Sequence, residues 1–140
     1  MTEIQAPEGY KQLKGISPAE DDIGPFFYRK EGDGLLRMGF RVQAKNCNGI
    51  GSAHGGVMMT FADYVATMVA LSGVKENCAT ISCTTDFMGA ALKGDWVEGT
   101  AEVMRRTKSL AFVRGELRVA GDCKMTFQVV MRRLSKPGSN

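Results

Sequence analysis

Between positions 36 and 42 apolar and polar residues alternate, with Leu36, Met38, Phe40 and Val42 set against Arg37, Arg41 and Gln43. A period of two marks a half-buried strand, and it predicts one within residues 26–45. Asn46 to Gly56 is rich in Asn and Gly and reads as a loop. Val57 to Leu71 follows without Pro or Gly, long enough for about four turns of helix and apolar on almost every face. A helix apolar all round is a buried one, and Gly73 supplies its C-terminal stop. Beyond it, Thr80 to Phe87, Asp95 to Arg106, Leu110 to Ala120 and Lys124 to Leu134 are β-rich runs. The breaks between them are Gly89 to Gly94, Thr107 to Ser109 and the pair Gly121-Asp122, the last a tight-hairpin signal. The order is strand, buried helix, then four strands in a meander. It predicts an α+β chain in which an antiparallel sheet wraps one long hydrophobic helix, the simplest cover for such a helix. Residues 1–25 read as an arm or a short leading helix, and 1–140 as a single domain without repeats or linkers.

Composition narrows the function classes. The chain has 140 residues, 44% apolar and 24% charged, which is globular rather than disordered or collagen-like. Its formal charge of +3, from 18 basic and 15 acidic residues, is too weak for a nucleic-acid footprint, which needs a clustered basic face. The first twenty residues carry no apolar signal core, and the most apolar stretch is broken by Asp63. The expectation is a soluble cytoplasmic protein with no membrane partner. Four cysteines without a CxxC pair read as free, mostly buried thiols. The single histidine, His54, excludes multi-histidine metal sites, so no metal is expected.

One residue breaks the helical pattern. Asp63 is the only charge in Val57–Leu71, and no Lys or Arg lies three or four positions away. An ionised carboxylate in apolar surroundings is costly unless paired or hydrogen-bonded. Either a partner comes from elsewhere, as across a subunit interface, or the group is kept for chemistry.

The helix entrance, Asn48-Gly-Ile-Gly-Ser-Ala-His-Gly-Gly56, is the second feature. Gly55 and Gly56 leave the first helical N–H groups unobstructed. Those donors and the helix dipole suit a developing negative charge such as a thioester oxyanion. The same residues also suit a plain turn and N-cap, and His54 reads as a capping or loop-positioning residue as well as a candidate base. Gly55 and Asp63 are eight residues apart, or roughly 12 Å along a helix. Contacts of about 3 Å to one carbonyl are then impossible within one helix. If both act on one substrate they come from different chains, in a two-fold dimer with antiparallel helices.

Asn48, His54-Gly-Gly56 and Asp63 nine residues after the histidine resemble the signature of hotdog-fold acyl-CoA thioesterases, nearest the phenylacetic-acid-degradation (PaaI-like) branch. The stretch from Thr80 through Phe87 to Ala91 resembles that family's strand after the helix. Arg105-Arg-Thr-Lys-Ser-Leu-Ala-Phe112 resembles its basic turn, and the match covers about residues 35–134. The resemblance implies hydrolysis of acyl-CoA or aryl-CoA thioesters by homodimers assembled into homotetramers. No cofactor is implied, coenzyme A being part of the substrate. Asp63 would be general base or nucleophile, the Gly55 amide would polarise the thioester carbonyl, and Asn48 would hold the carbonyl or the attacking water. His54 would position the loop, and Gly56 would line the approach. Thr80 would stand near the water, with Ser82 and Thr84 on the same face by strand alternation; as ordinary polar strand residues they need no such role. Arg105, Arg106, Lys108 and Ser109 would bind the nucleotide phosphates, or form a solvated hairpin turn. Phe87 and Met88 would line the acyl or pantetheine channel, or sit in the core. Two other functions stay open: a non-catalytic acyl-CoA-binding module, and an enoyl-thioester hydratase, which would want an Asp/His pair.

Overall fold

A computed structural model describes residues 4–135. A short helix α1 (Pro18–Ile23) leads into a hairpin of β1 (Phe27–Lys30) and β2 (Leu36–Arg41), then a 3-10 turn (Ala44–Asn46). The long helix α2 (Gly55–Leu71) follows, and then β3 (Asn77–Phe87), β4 (Trp96–Arg106), β5 (Leu110–Val119) and β6 (Asp122–Leu134). The strands form one antiparallel sheet in the order β1-β2-β4-β5-β6-β3, curled around α2. This is the expected hotdog architecture.

Three parts of the pattern resolve differently from the sequence expectation. The single strand expected in residues 26–45 is a hairpin, because Gly32-Asp33-Gly34 reverses the chain. Its turn is closed by the Glu31 N–H on the Leu35 carbonyl (2.8 Å) and the Leu35 N–H on Asp33 Oδ1 (3.0 Å). The four-strand meander is a three-strand one. β3 pairs with β6 at the far edge and not with β4, which lets it lie along a flank of α2 that β4–β6 leave open. At the last turn the loop residues are Ala120 and Gly121, both with positive φ (49° and 83°), and Asp122 already pairs with Val119. Two consecutive left-handed residues fit a two-residue hairpin.

Nor is α2 buried all round. Met58, Phe61, Ala62, Tyr64, Val65, Ala66 and Ala70 are buried, and Phe61 stacks among Phe26, Phe40 and Tyr64 with ring centroids 4.7–6.0 Å apart. Gly56, Thr60, Asp63 and Thr67, spaced i, i+4, i+7 and i+11, form a stripe that is not buried and lies on one helical face. The four cysteines are free and half-buried.

The helix approaches the sheet most closely at Gly99 on β4. A Cβ there would stand 2.6 Å from Val65 Cγ2, 3.1 Å from Leu117 Cδ2 and 3.2 Å from Phe61 Cε2. All three neighbours are fully buried and cannot swing aside. Gly99→Ala is expected to destabilise the fold by about 1–3 kcal/mol through overpacking, measured as a lower urea midpoint at unchanged slope. An unchanged midpoint would show that helix and sheet can separate freely at this point.

Candidate functional site

The loop before α2 is built from two asparagines with separate jobs. Asn46 is 1% exposed. Its Nδ2 donates to the Ile23 carbonyl (2.8 Å), its Oδ1 accepts from the Gln43 N–H (2.9 Å), and its carbonyl accepts from the His54 N–H (2.8 Å). One buried amide thus ties the end of α1 and the 3-10 turn to the start of α2. The sequence reading missed it, since nothing in the sequence separates it from Asn48 two positions on.

Asn48 shapes its own loop. Its Oδ1 accepts from the N–H groups of Ile50 (3.1 Å) and Ser52 (3.2 Å), and its Nδ2 donates to Ser52 Oγ (2.9 Å). These bonds hold the turn from Asn48 to Ser52 that leads into α2.

His54 is the N-cap of α2: its Nδ1 accepts from the Gly56 N–H at 2.9 Å, and its carbonyl accepts from the N–H groups of Val57 and Met58. Nδ1 therefore carries no proton here. Gly55 and Gly56 are the first two helical residues and do not precede the helix, and the Gly56 amide is occupied by the cap. Among the described residues no group accepts from the Gly55 N–H, which leaves a donor at the positive end of a 17-residue helix. The space a Cβ would take on Gly55 is bordered by the ring of Phe87, 3.4 Å away at Cζ.

Asp63 is half-buried on the polar stripe. The Thr80 hydroxyl on β3 donates to its Oδ1 at 2.5 Å, and among the described residues Asp63 makes no ion pair. Its negative field is felt by three groups on two elements. The Glu20 carboxyl on α1 is pushed up, by burial first and then by Asp63, and so are the thiols of Cys78 and Cys83 on β3. β3 runs back along α2, with Thr80 at Asp63 and Phe87 at Gly55.

Strand alternation fails at one point on β3. Thr80 pairs with Met131 and Ser82 with Val130, so Ile81 is an extra, bulged residue. Thr80 therefore shares the helix-facing side with buried Met131, while Ser82 and Thr84 stand on the outer face. The expected common face of these three residues is a correction forced by the bulge. A cavity of about 730 Å³ opens on that outer face among Thr84, Asp86, Glu102, Arg114, Glu116 and Gln128, across the sheet from Asp63.

The basic cluster also divides. Arg105, Lys108 and Ser109 are exposed at the β4–β5 turn. Arg106 turns inward, donating to the Ala70 carbonyl at 3.0 Å and lying 3.8 Å from Glu76. It caps the C-terminus of α2, where a cation suits the helix dipole. Within one chain this turn lies at the opposite end of α2 from Gly55, roughly 22 Å away at 1.5 Å per residue.

The thioesterase superfamily profile matches residues 50–125. A Pseudomonas aeruginosa protein described as a candidate esterase is 35% identical over 117 residues, spanning 81% of this chain and 87% of that protein. Human acyl-coenzyme A thioesterase 13 is 30% identical over 78 residues, 55% of this chain and 56% of that one. Among solved structures, the PaaI protein of the Escherichia coli phenylacetic acid degradation operon superposes with a TM-score of 0.77 at 21% identity, over 86% of each chain. A hypothetical thioesterase from Streptococcus pneumoniae, solved with coenzyme A, gives 0.71 at 16% identity over 79% of this chain and 86% of that one.

Proposed function

The chain belongs to the thioesterase superfamily and is a thioester hydrolase; from that premise we propose that it cleaves acyl- or aryl-coenzyme A, with Asp63 as general base. The observation that carries this reading is a carboxylate on the open flank of α2 with one oxygen fixed by Thr80. Its other oxygen is left to accept a proton from water. The resulting hydroxide attacks the thioester carbonyl, and the tetrahedral oxyanion is held by a free helix N-terminal N–H, that of Gly55. Collapse breaks the C–S bond, and the proton on Asp63 passes to the departing thiolate. A carboxylic acid and the coenzyme A thiol leave, and the carboxylate is restored.

The eight-residue separation keeps Asp63 and Gly55 of one chain off the same carbonyl. The Gly55 donor is therefore assigned to a second copy, its helix antiparallel to the first across a two-fold axis. Support comes from β3, whose 11 residues form a largely exposed edge beside Asp63. The antiparallel arrangement would also carry one chain's Arg105 and Lys108 toward the partner's Gly55, where coenzyme A phosphates could meet them. The residues offer little to a hydratase, because His54 is spent on the cap and stands nine positions from Asp63.

Thiol release from coenzyme A thioesters tests the activity, and mixing two inactive variants tests the shared site. Gly55→Pro removes the N–H and adds a ring whose Cβ meets Phe87 at ordinary contact distance (3.4 Å); proline is welcome at the first helical position, and His54, at φ −60° and ψ 137°, already has the conformation a residue before proline prefers. Equimolar Gly55→Pro and Asp63→Asn chains, unfolded and refolded together, are expected to regain about a quarter of wild-type turnover, since half the dimers are mixed and each holds one intact site. No recovery would place the whole site within a single chain.

A further inference from the structure

We propose that Phe87 is a specificity-determining residue, its ring forming the wall against which a bulky apolar acyl group packs beside the oxyanion donor; this rests on the thioesterase reading above. The ring stands 3.4 Å (Cζ) and 3.6 Å (Cε1) from the position a Gly55 Cβ would occupy. A carbonyl oxygen accepting from the Gly55 N–H lies about 3 Å from that nitrogen. Whatever is bonded to the carbonyl carbon must therefore pass along the ring.

The register of β3 aims the ring inward, since Phe87 pairs with buried Met125. Even so, Phe87 is 53% exposed, so the core does not consume it. Large apolar side chains continue around it. Met88 is exposed beside it, and Ile50 and Leu92 are exposed on the two loops that meet in the Ser52–Leu92 bridge. These four side chains are themselves apolar and offer no strong hydrogen-bond partner. A pantetheine arm carries two amides that gain nothing from these side chains, whereas an apolar acyl group covers their exposed surface. The rim therefore takes the acyl side of the thioester and leaves the thiol side to the polar flank. An aromatic wall favours a ring, by edge or offset stacking, over a two-carbon acyl group.

The test uses Asp63→Asn protein, which holds uncleaved thioester, and measures the affinities of benzoyl-CoA and acetyl-CoA by calorimetry with Phe87 present or replaced. With Phe87 the benzoyl ester is expected to bind more tightly, and Phe87→Ala is expected to shrink that preference about tenfold. Phe87→Leu, which keeps the bulk without the ring, is expected to retain an intermediate preference and guards against a folding artefact. A preference unchanged within twofold in both variants would overturn the proposal, and so would an equal weakening of both esters, which would put the ring on the coenzyme side. Hydrolysis by the unmodified enzyme is read separately. If neither ester is cleaved while the benzoyl preference still depends on Phe87, the thioesterase reading falls and the acyl wall stands.

Discussion

Asp63→Asn is expected to lower the turnover of coenzyme A thioesters by about a hundredfold to ten-thousandfold, the range for removal of a positioned general base. The substitution keeps shape and removes one function. An asparagine Oδ1 can still accept from the Thr80 hydroxyl, so the side chain keeps its anchor on β3. The group facing the water can no longer take a proton. Because ground-state contacts survive, the loss should fall on kcat with KM little changed, the pattern of an interaction made only in the transition state. The variant should melt at or above the wild-type temperature, since a half-buried carboxylate with no ion pair among the described residues gives way to a neutral amide. Turnover within threefold of wild type would remove Asp63 from the chemistry and leave the thioesterase assignment in search of another base.

Phe61→Ala is expected to cost about 3–5 kcal/mol, a large share of the roughly 5–15 kcal/mol that holds a domain of this size folded. The ring is fully buried and packs on Phe40 at 4.7 Å and on Phe26 at 5.0 Å between centroids. It also borders the slot left by Gly99. Small neighbours on both sides, Ala62 on the helix and Gly99 on the sheet, cannot expand into the void, so the cavity stays open. The melting temperature should fall by roughly 10 °C or more. A loss under 1 kcal/mol would mean that the helix re-seats itself and that its docking on β4 is soft. Phe61 points away from the Asp63 stripe, so the fraction still folded should keep near-normal kcat.

Much of this architecture was legible because its elements obey single periods. The apolar run from Val57, the alternation at Leu36–Val42 and the breaks between later strands each follow one rule. Asp63 stood out because a lone charge violates the surrounding pattern, and His54-Gly-Gly56 because two glycines at a helix entrance have few other uses. What stayed hidden depends on relations across the sheet. One extra residue at Ile81 reverses which side of β3 each later side chain faces, and no local pattern announces it. The edge position of β3 is a choice between two neighbours, β4 and β6, that look alike from the sequence. Arg106 and Arg105 are adjacent and chemically identical, and only their opposite faces on β4 send one to the helix terminus and the other to solvent. Likewise Asn46 and Asn48 differ only in burial, which a loop's composition does not encode.

The placement of β3 beside β6 sets a timetable for the growing chain. β3 is complete at Phe87, but the strand it pairs with ends at Leu134, 47 residues later. At synthesis rates of about 5–20 residues per second, that is an interval of roughly 2–10 s. Throughout it α2 lacks one wall of its enclosure, and Cys83 and Thr85, half-buried in the finished fold, have no sheet neighbour to shield them. The meander β4–β5–β6 closes by local turns and can form quickly once made, whereas the β3–β6 ladder is the long-range step. The flank that carries Asp63 and Thr80 is accordingly the last part of the molecule to be walled in.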